Sequence, residues 1–166
     1  DECVARVRKK FKEYDEDDFK YFRTLHSLAR QQFAEIPVLD PKADLLMFHT
    51  QYGTVKLKYK DTWDDQKVYN NWSLQIYDRA RNMKVDPEWL YKQQSRKAVR
   101  LQQFKSIIAG YEQFKTMELE NGQRTPDRLD FTDMVQRYIT NGLVIPFKVL
   151  MVDEAQDLTP LQWDMV

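Results

Sequence analysis

The chain has 166 residues, 42% of them hydrophobic, which suffices for one domain with a core or a compact domain carrying an insertion. Its 26 basic and 26 acidic side chains cancel to a formal charge of zero, so any surface for a polyanion must be local. Cys3 is the single cysteine and His26 and His49 the only histidines, which excludes an intramolecular disulfide and a zinc-type ligand spacing, and no apolar stretch reaches the roughly 20 residues that span a bilayer. These features predict a soluble protein of the reducing cytoplasm with no membrane partner. The chain begins at Asp1 without a methionine or signal-peptide character and stops at Met165-Val166 within a helical pattern, so a fragment of a longer protein is expected.

Taken in chain order, Val4, Val7 and Phe11 recur at helical spacing among basic residues, predicting an amphipathic helix that the acidic run Asp15 to Asp18 stops. Phe19 to Thr24 alternates as a short strand, and Leu25 to Phe33 returns to helical spacing. After Pro37 and Pro41, Ala43 to Tyr52 reads as a helix closed by Gly53, and Thr54 to Tyr59 alternates like a strand. Trp72, Ile76, Ala80 and Met83 predict a helix; Asp86-Pro87-Glu88 opens the next, with Asp86 as N-cap and Pro87 in its first turn. A longer helix is expected over Ser95 to Met117, with Ala98, Leu101, Phe104, Ile108, Tyr111 and Phe114 on one stripe. Gly122 and Pro126 mark a loop, after which Asp130 or Thr132 caps a helix ending near Asn141-Gly142.

Phe147-Lys148-Val149-Leu150-Met151-Val152 is a nearly continuous apolar run, the pattern of a strand buried on both faces of a parallel sheet. Asp153 and Glu154 follow at its carboxyl end, where open α/β sheets bind ligands. Adjacent acids there suit phosphate-transfer chemistry, with Asp153 toward Mg²⁺ and Glu154 toward the attacking water. The alternative is a polar turn leading into a last helix capped by Asp157 or Thr159, with Pro160 in its first turn.

Val149 to Asp157, followed by Leu161-Gln162, resembles the Walker B motif of superfamily 1 DNA helicases of the UvrD/Rep type, a hydrophobic strand, Asp-Glu-x-Gln-Asp, then a helix bearing Gln. Three more segments resemble that family in its order: Glu2-Cys3-Val4-Ala5-Arg6, Thr24-Leu25-His26-Ser27-Leu28-Ala29, and Leu129-Asp130-Phe131-Thr132-Asp133-Met134-Val135. The resemblance implies a mainly α chain with a small parallel β portion: a partial RecA-like α/β (P-loop NTPase) core carrying a large helical insertion. Residues 1–34 would belong to the core, 35–125 to the insertion, and 126–166 to the return with the Walker B strand. It also implies Mg²⁺ and ATP as cofactors of the full-length protein, with Asp153 on the metal, Glu154 on the water, and Gln156 and Asp157 contributing to the nucleotide site. Thr24 and His26 fall where the family meets single-stranded DNA, although a lone His in an apolar segment reads equally as a satisfied structural residue, and the insertion lies near the duplex junction.

A phosphate-cradling Gly-x-x-x-x-Gly-Lys-Ser/Thr loop is missing from the chain; the nearest string, Gly110 to Thr116, has Phe114 where glycine is required and falls in a helical pattern. The expectation is a fragment that neither hydrolyses ATP nor unwinds DNA alone. Lys92, Arg96, Lys97, Arg100 and Lys105 form a basic stretch with no acid between them, readable as phosphate contacts or as a solvated helix face. Trp63, Trp72 and Trp89 are readable as stacking platforms or as core. Two further functions fit the residues: a non-enzymatic helical module binding DNA or protein, and a metal-dependent nuclease using Asp153, Glu154 and Asp157. A sheet lacking most of its strands would expose edges, which predicts dimerisation or strand exchange.

Overall fold

In the computed structural model, the described residues are 9, 10, 12, 24–40, 44, 47, 48, 59, 60, 68, 69, 71–118, 124–144 and 150–166. They are mainly helical. Helix α1 (Leu25–Gln32) starts where Thr24 Oγ1 accepts the Ser27 N–H at 3.2 Å and ends where the Arg30 guanidinium donates to the carbonyls of Phe33 and Ala34. Strands β1 (Tyr59–Lys60) and β2 (Val68–Tyr69) then form a short antiparallel pair. Helix α2 (Trp72–Asn82) is capped by buried Asn71, whose Oδ1 accepts from Ser73 N at 3.0 Å and Leu74 N at 3.3 Å. It closes in a left-handed turn at Lys84, φ 57°, with Val85 N–H bonded back to the Ala80 carbonyl. Asp86 caps helix α3 (Pro87–Gln93) with Pro87 at its first position, as the Asp-Pro-Glu string predicts.

Helix α4 (Leu101–Phe114) is shorter than the periodicity predicts. Gln94 and Arg100 take extended backbone angles, Tyr91 Oη donates to the Val99 carbonyl at 2.9 Å, and Val99 packs against the cores on both sides of it. That tertiary anchor holds Ser95 to Arg100 as a loop, and the burial stripe runs through Phe104, Ile107, Gly110, Tyr111 and Phe114. Gly110 is thus an interior helix residue and no part of a phosphate loop. Beyond α4, strands β3 (Thr116–Glu118) and β4 (Arg124–Pro126) pair antiparallel, where the sequence pattern suggests helix end and loop. Helix α5 (Phe131–Thr140) carries a capping box: Asp130 Oδ1 accepts Asp133 N–H at 2.7 Å and Asp133 Oδ2 accepts Asp130 N–H at 3.0 Å. Gly142, φ 62°, ends it in the left-handed conformation that favours glycine. Thr159 caps the last short helix α6 (Pro160–Trp163).

The predicted helix over residues 1–14 lies outside the described residues apart from helical Lys9 and Lys10, as do most of the helix expected over 43–52 and the strand expected over 54–59. Among the described residues the β pairing is antiparallel except for one parallel bridge, Val38 to Leu129, made by Leu39 N–H to Leu129 O and Leu129 N–H to Pro37 O, both 2.9 Å. No described helix is long and apolar enough to cross a membrane.

Among the described residues, three apolar clusters organise the helices. Ala29 and Phe33 of the first segment pack with Leu129, Met134, Val135, Tyr138, Leu161 and Met165, so residues distant in sequence share one core. Ile76, Ala80, Leu90, Tyr91 and Phe104 form a second, with Tyr91 and Phe104 rings 4.9 Å apart and Trp72 edge-on to Tyr91. Trp72 is therefore partly buried against the core, whereas Trp89 is half exposed and Trp63 lies outside the described residues. Leu39, Phe48, Leu74, Ile107, Tyr111 and Phe114 form the third. Each fully buried aromatic or aliphatic side chain contributes roughly 1.5–3 kcal/mol relative to exposure.

Candidate functional site

Of the expected buried strand, Phe147 to Val149 lie outside the described residues; Leu150, Met151 and Val152 are not in a strand, and Met151 is 90% exposed. Their apolar character does not bury them, because a doubly covered strand requires bonded neighbours, and none of the described residues pairs with these three. Asp153 Oδ1 accepts the Glu154 N–H at 3.0 Å. Glu154 then turns the chain through the left-handed region, φ 50° and ψ 39°, an uncommon conformation for a residue with a Cβ. Ala155–Asp157 make one 3₁₀ turn, and Gln156 Nε2 donates to the Glu154 carboxylate. Asp153, Glu154 and Asp157 are exposed, with no ion-pair partner among the described residues.

Asp153 offers hard oxygen donors toward solvent, which suits Mg²⁺, an ion commonly held by one or two carboxylates together with substrate phosphates. A protein-only cage is a different matter: among the described residues no three Asp, Glu, His or Cys side chains gather as ligands. The nuclease alternative requires Asp153, Glu154 and Asp157 to do so, and the structure does not bring them into such a group.

Thr24 and His26 sit at the start of α1. Thr24 is its N-cap, and the His26 ring meets Phe131 edge-on, centroids 5.6 Å apart at 85°. Burial pushes the His26 pKa down, and the Asp78 charge opposes that only in part. Phe131 is 55% exposed, so the pair presents an aromatic surface beside the exposed Thr24. Sequence alone assigns Phe131 only to a helix start; an aromatic residue directly after an N-cap, on the rim of a buried stripe, is the signal that points to it. Polar contacts continue from here toward the carboxylate turn. Thr132 Oγ1 donates to Asp78, Asn82 Nδ2 donates to Thr132 Oγ1 at 3.0 Å, and Thr159 Oγ1 donates to Asn82 Oδ1 at 3.3 Å. The C-terminal half of α2 thus joins the start of α5 to the cap of α6.

Behind this chain of contacts lies a buried ionic cluster. Arg81 Nη1 donates to Asp130 Oδ2 at 2.7 Å, and Nη2 to Asp130 Oδ1 at 3.0 Å, Asp133 Oδ1 at 2.6 Å and Gln136 Oε1 at 3.1 Å. Lys115 Nζ donates to Asp133 Oδ2 at 2.7 Å and Asp130 Oδ2 at 3.1 Å, with Glu112 Oε1 2.8 Å away in an ion pair lacking hydrogen-bond alignment. The Arg81 and Lys115 side chains are only 7% and 4% exposed, so these charges are held by one another rather than by water. Burial alone would raise Asp130, but hydrogen bonds and charge from Arg81, then charge from Lys115, hold it below the usual carboxylate range. Asp133 is pushed up, first by burial and then by the Asp130 charge.

The basic stretch is divided. Lys92 and Lys105 both pair with Glu88, whose carboxyl they pull down to about 2, Lys105 contributing more. Arg96, Lys97 and Arg100 belong to the loop between α3 and α4, not to a helix face, and are exposed without a carboxylate partner among the described residues. Lys97 Nζ donates to the Gln94 carbonyl at 2.9 Å and lies 5.6 Å from the Tyr91 ring centroid. The site residues thus divide into the Asp153–Asp157 turn, the Thr24–His26–Phe131 surface and the 96–100 loop; the traced polar contacts run from Thr132, next to Phe131 in sequence, to Thr159, the cap of the helix after the turn.

No curated protein and no solved structure matches the chain. A family model does, that of the UvrD/REP helicase N-terminal domain, over residues 1–166. With the whole length covered, the chain belongs to the UvrD/Rep helicase N-terminal domain family.

Proposed function

We propose that the chain is part of the motor of an ATP-dependent helicase or translocase acting on single-stranded DNA, and that residues 35–125 form a helical insertion in a RecA-like core made of residues 1–34 and 126–166. The observation that carries this reading is the pair of exposed carboxylates at Asp153 and Glu154, without an ion partner among the described residues, on a backbone turn constrained to left-handed angles, in a chain matching the helicase family throughout.

In the full-length protein Asp153 would hold Mg²⁺ together with ATP, and the ion would supply neutralisation of the phosphate charge. Glu154 orients the attacking water and takes its proton, while the Gln156 amide hydrogen-bonded to that carboxylate fixes its direction. Gln156 and Asp157 complete the nucleotide-facing turn. Thr24 and His26, with Phe131 beside them, form the surface for the single strand, where exposed aromatic faces stack on bases irrespective of sequence. Arg96, Lys97 and Arg100 meet phosphates near the duplex junction. A RecA-like sheet cut to this span would expose edges, which would favour dimerisation or strand exchange of the isolated chain; sedimentation at high concentration reads this directly.

The test is Glu154→Gln in the full-length protein. DNA-stimulated ATP hydrolysis falls by roughly 10²- to 10⁴-fold, the contribution of a general base, while binding of a fluorescent ATP analogue persists. Undiminished hydrolysis would remove Glu154 from the chemistry. The expected result for the isolated 166-residue chain, whose sequence holds no phosphate-cradling loop, is no ATPase activity; Mg²⁺-dependent hydrolysis by the pure chain would overturn that assignment, and a parent with no such loop would favour a non-enzymatic binding module.

A further inference from the structure

The ionic cluster spans parts of the chain far apart in sequence. Arg81 lies near the end of α2 and Lys115 just after α4, whereas Asp130 and Asp133 are the two halves of the capping box that begins α5. The carboxylates therefore have two tasks each. Asp130 and Asp133 satisfy the first N–H groups of α5, and at the same time, among the described residues, take the charge-assisted hydrogen bonds that Arg81 makes to carboxylates. Phe131 sits between them in sequence, in the same turn, and its ring meets His26. Beside it, Thr132 and Asn82 continue the contact to α2 and on to Thr159.

A capping box needs only a local acceptor, and α5 would be capped without Arg81. What the guanidinium adds is a fixed relation between α2 and the first turn of α5: a planar fork spanning two carboxylates allows little translation or rotation, unlike a single ammonium contact. We propose that Arg81 is a positioning residue, which locks the Asp130–Asp133 turn so that Phe131 and His26 hold the geometry of the single-strand surface. The proposal rests on the assignment of that surface to single-stranded DNA for its functional consequence, but its structural half is independently measurable. Lys115 shares the two carboxylates as a point charge and balances the cluster electrically; direction comes from Arg81.

The experiment compares the native 166-residue chain with Arg81→Gln/Asp133→Asn and with Arg81→Lys. The double variant removes one charge of each sign, so the net charge of the cluster is unchanged, and Asp133→Asn keeps a side-chain carbonyl oxygen for the Asp130 N–H. Arg81→Lys keeps the charge but cannot span both carboxylates. His26 is one of two histidines, so its imidazole can be assigned and titrated by NMR. Burial lowers the His26 pKa, and Asp78 is the acid whose charge opposes that.

The expected result is that the double variant unfolds near the native midpoint yet titrates His26 at higher pH, toward a free imidazole, and binds labelled oligothymidylate on the order of tenfold more weakly, as for removal of one charge-assisted hydrogen bond. Arg81→Lys gives a smaller shift in the same direction. A His26 titration and oligothymidylate affinity identical to native in a stably folded variant would overturn the proposal, since Arg81 would then contribute charge balance alone. If the native chain fails to bind oligothymidylate, the reading of the surface falls, and the His26 titration alone decides the positioning role.

Discussion

Replacing Lys115 with Met tests whether the buried cluster holds the helices together. The ammonium is 4% exposed and stands within 3.1 Å of carboxylate oxygens from Asp130, Asp133 and Glu112. Met fills much the same volume, so packing changes little, but Arg81 is left facing two buried acids and Glu112 loses its cation. Removing one partner of a buried ion pair costs about 3–5 kcal/mol, because the remaining charge is stranded away from water. Against a total stability of about 5–15 kcal/mol for a domain, that loss is a large fraction of the whole. Urea unfolding followed by fluorescence of the four tryptophans measures it, with the denaturant slope unchanged if the folded state stays as compact. The pH dependence supplies an independent sign. Asp133 already has a raised carboxyl, so its ionised form opposes folding, and this opposition is relieved as pH falls through its folded value. Loss of Lys115 strengthens that opposition, so the deficit is greatest at neutral pH and shrinks toward the ordinary carboxylate range. Asp130 behaves oppositely: its depressed carboxyl stabilises the native fold above the ordinary carboxylate pKa, and that contribution disappears only in stronger acid. A deficit below about 1 kcal/mol, or one that grows on acidification between neutral pH and the carboxylate range, would refute the reasoning.

Glu154→Gly relieves a left-handed backbone angle that costs a residue with a Cβ roughly 1 kcal/mol; stability of the chain rises by up to that amount while the full-length protein loses hydrolysis, and a destabilised variant would contradict it. Asn71→Ala removes the acceptor for two N–H groups at the start of α2 and lowers stability by about 1 kcal/mol, whereas Asn71→Ser retains most of it; thermal unfolding distinguishes the two. Replacing Arg96, Lys97 and Arg100 together by Ala in the full-length protein leaves ATP binding intact and lowers the salt dependence of DNA affinity, the logarithmic slope falling by about 0.7–0.9 for each phosphate no longer engaged; an unchanged slope returns the loop to ordinary solvated surface.

Helix starts are legible in the sequence because their determinants are local. Asp86, Asp130 and Thr159 each hold an oxygen within reach of the N–H group three residues ahead, and Pro87 and Pro160 need no neighbour to fix their angles. The family is legible for a similar reason: its motifs are short strings, such as Asp153 to Asp157, whose chemistry shows in residue type and order. Tertiary structure decides what depends on distant partners. Ser95 to Arg100 is a loop because the Tyr91 hydroxyl and two cores hold Val99, Leu150 to Val152 stay out of a strand because none of the described residues supplies a bonded edge, and Phe131 faces His26 because α1 and α5 share a core. The pairing of Arg81 and Lys115 with a capping box in another part of the chain leaves no trace in spacing, because a buried charge is placed by its counter-charge in space, and sequence order does not carry that distance.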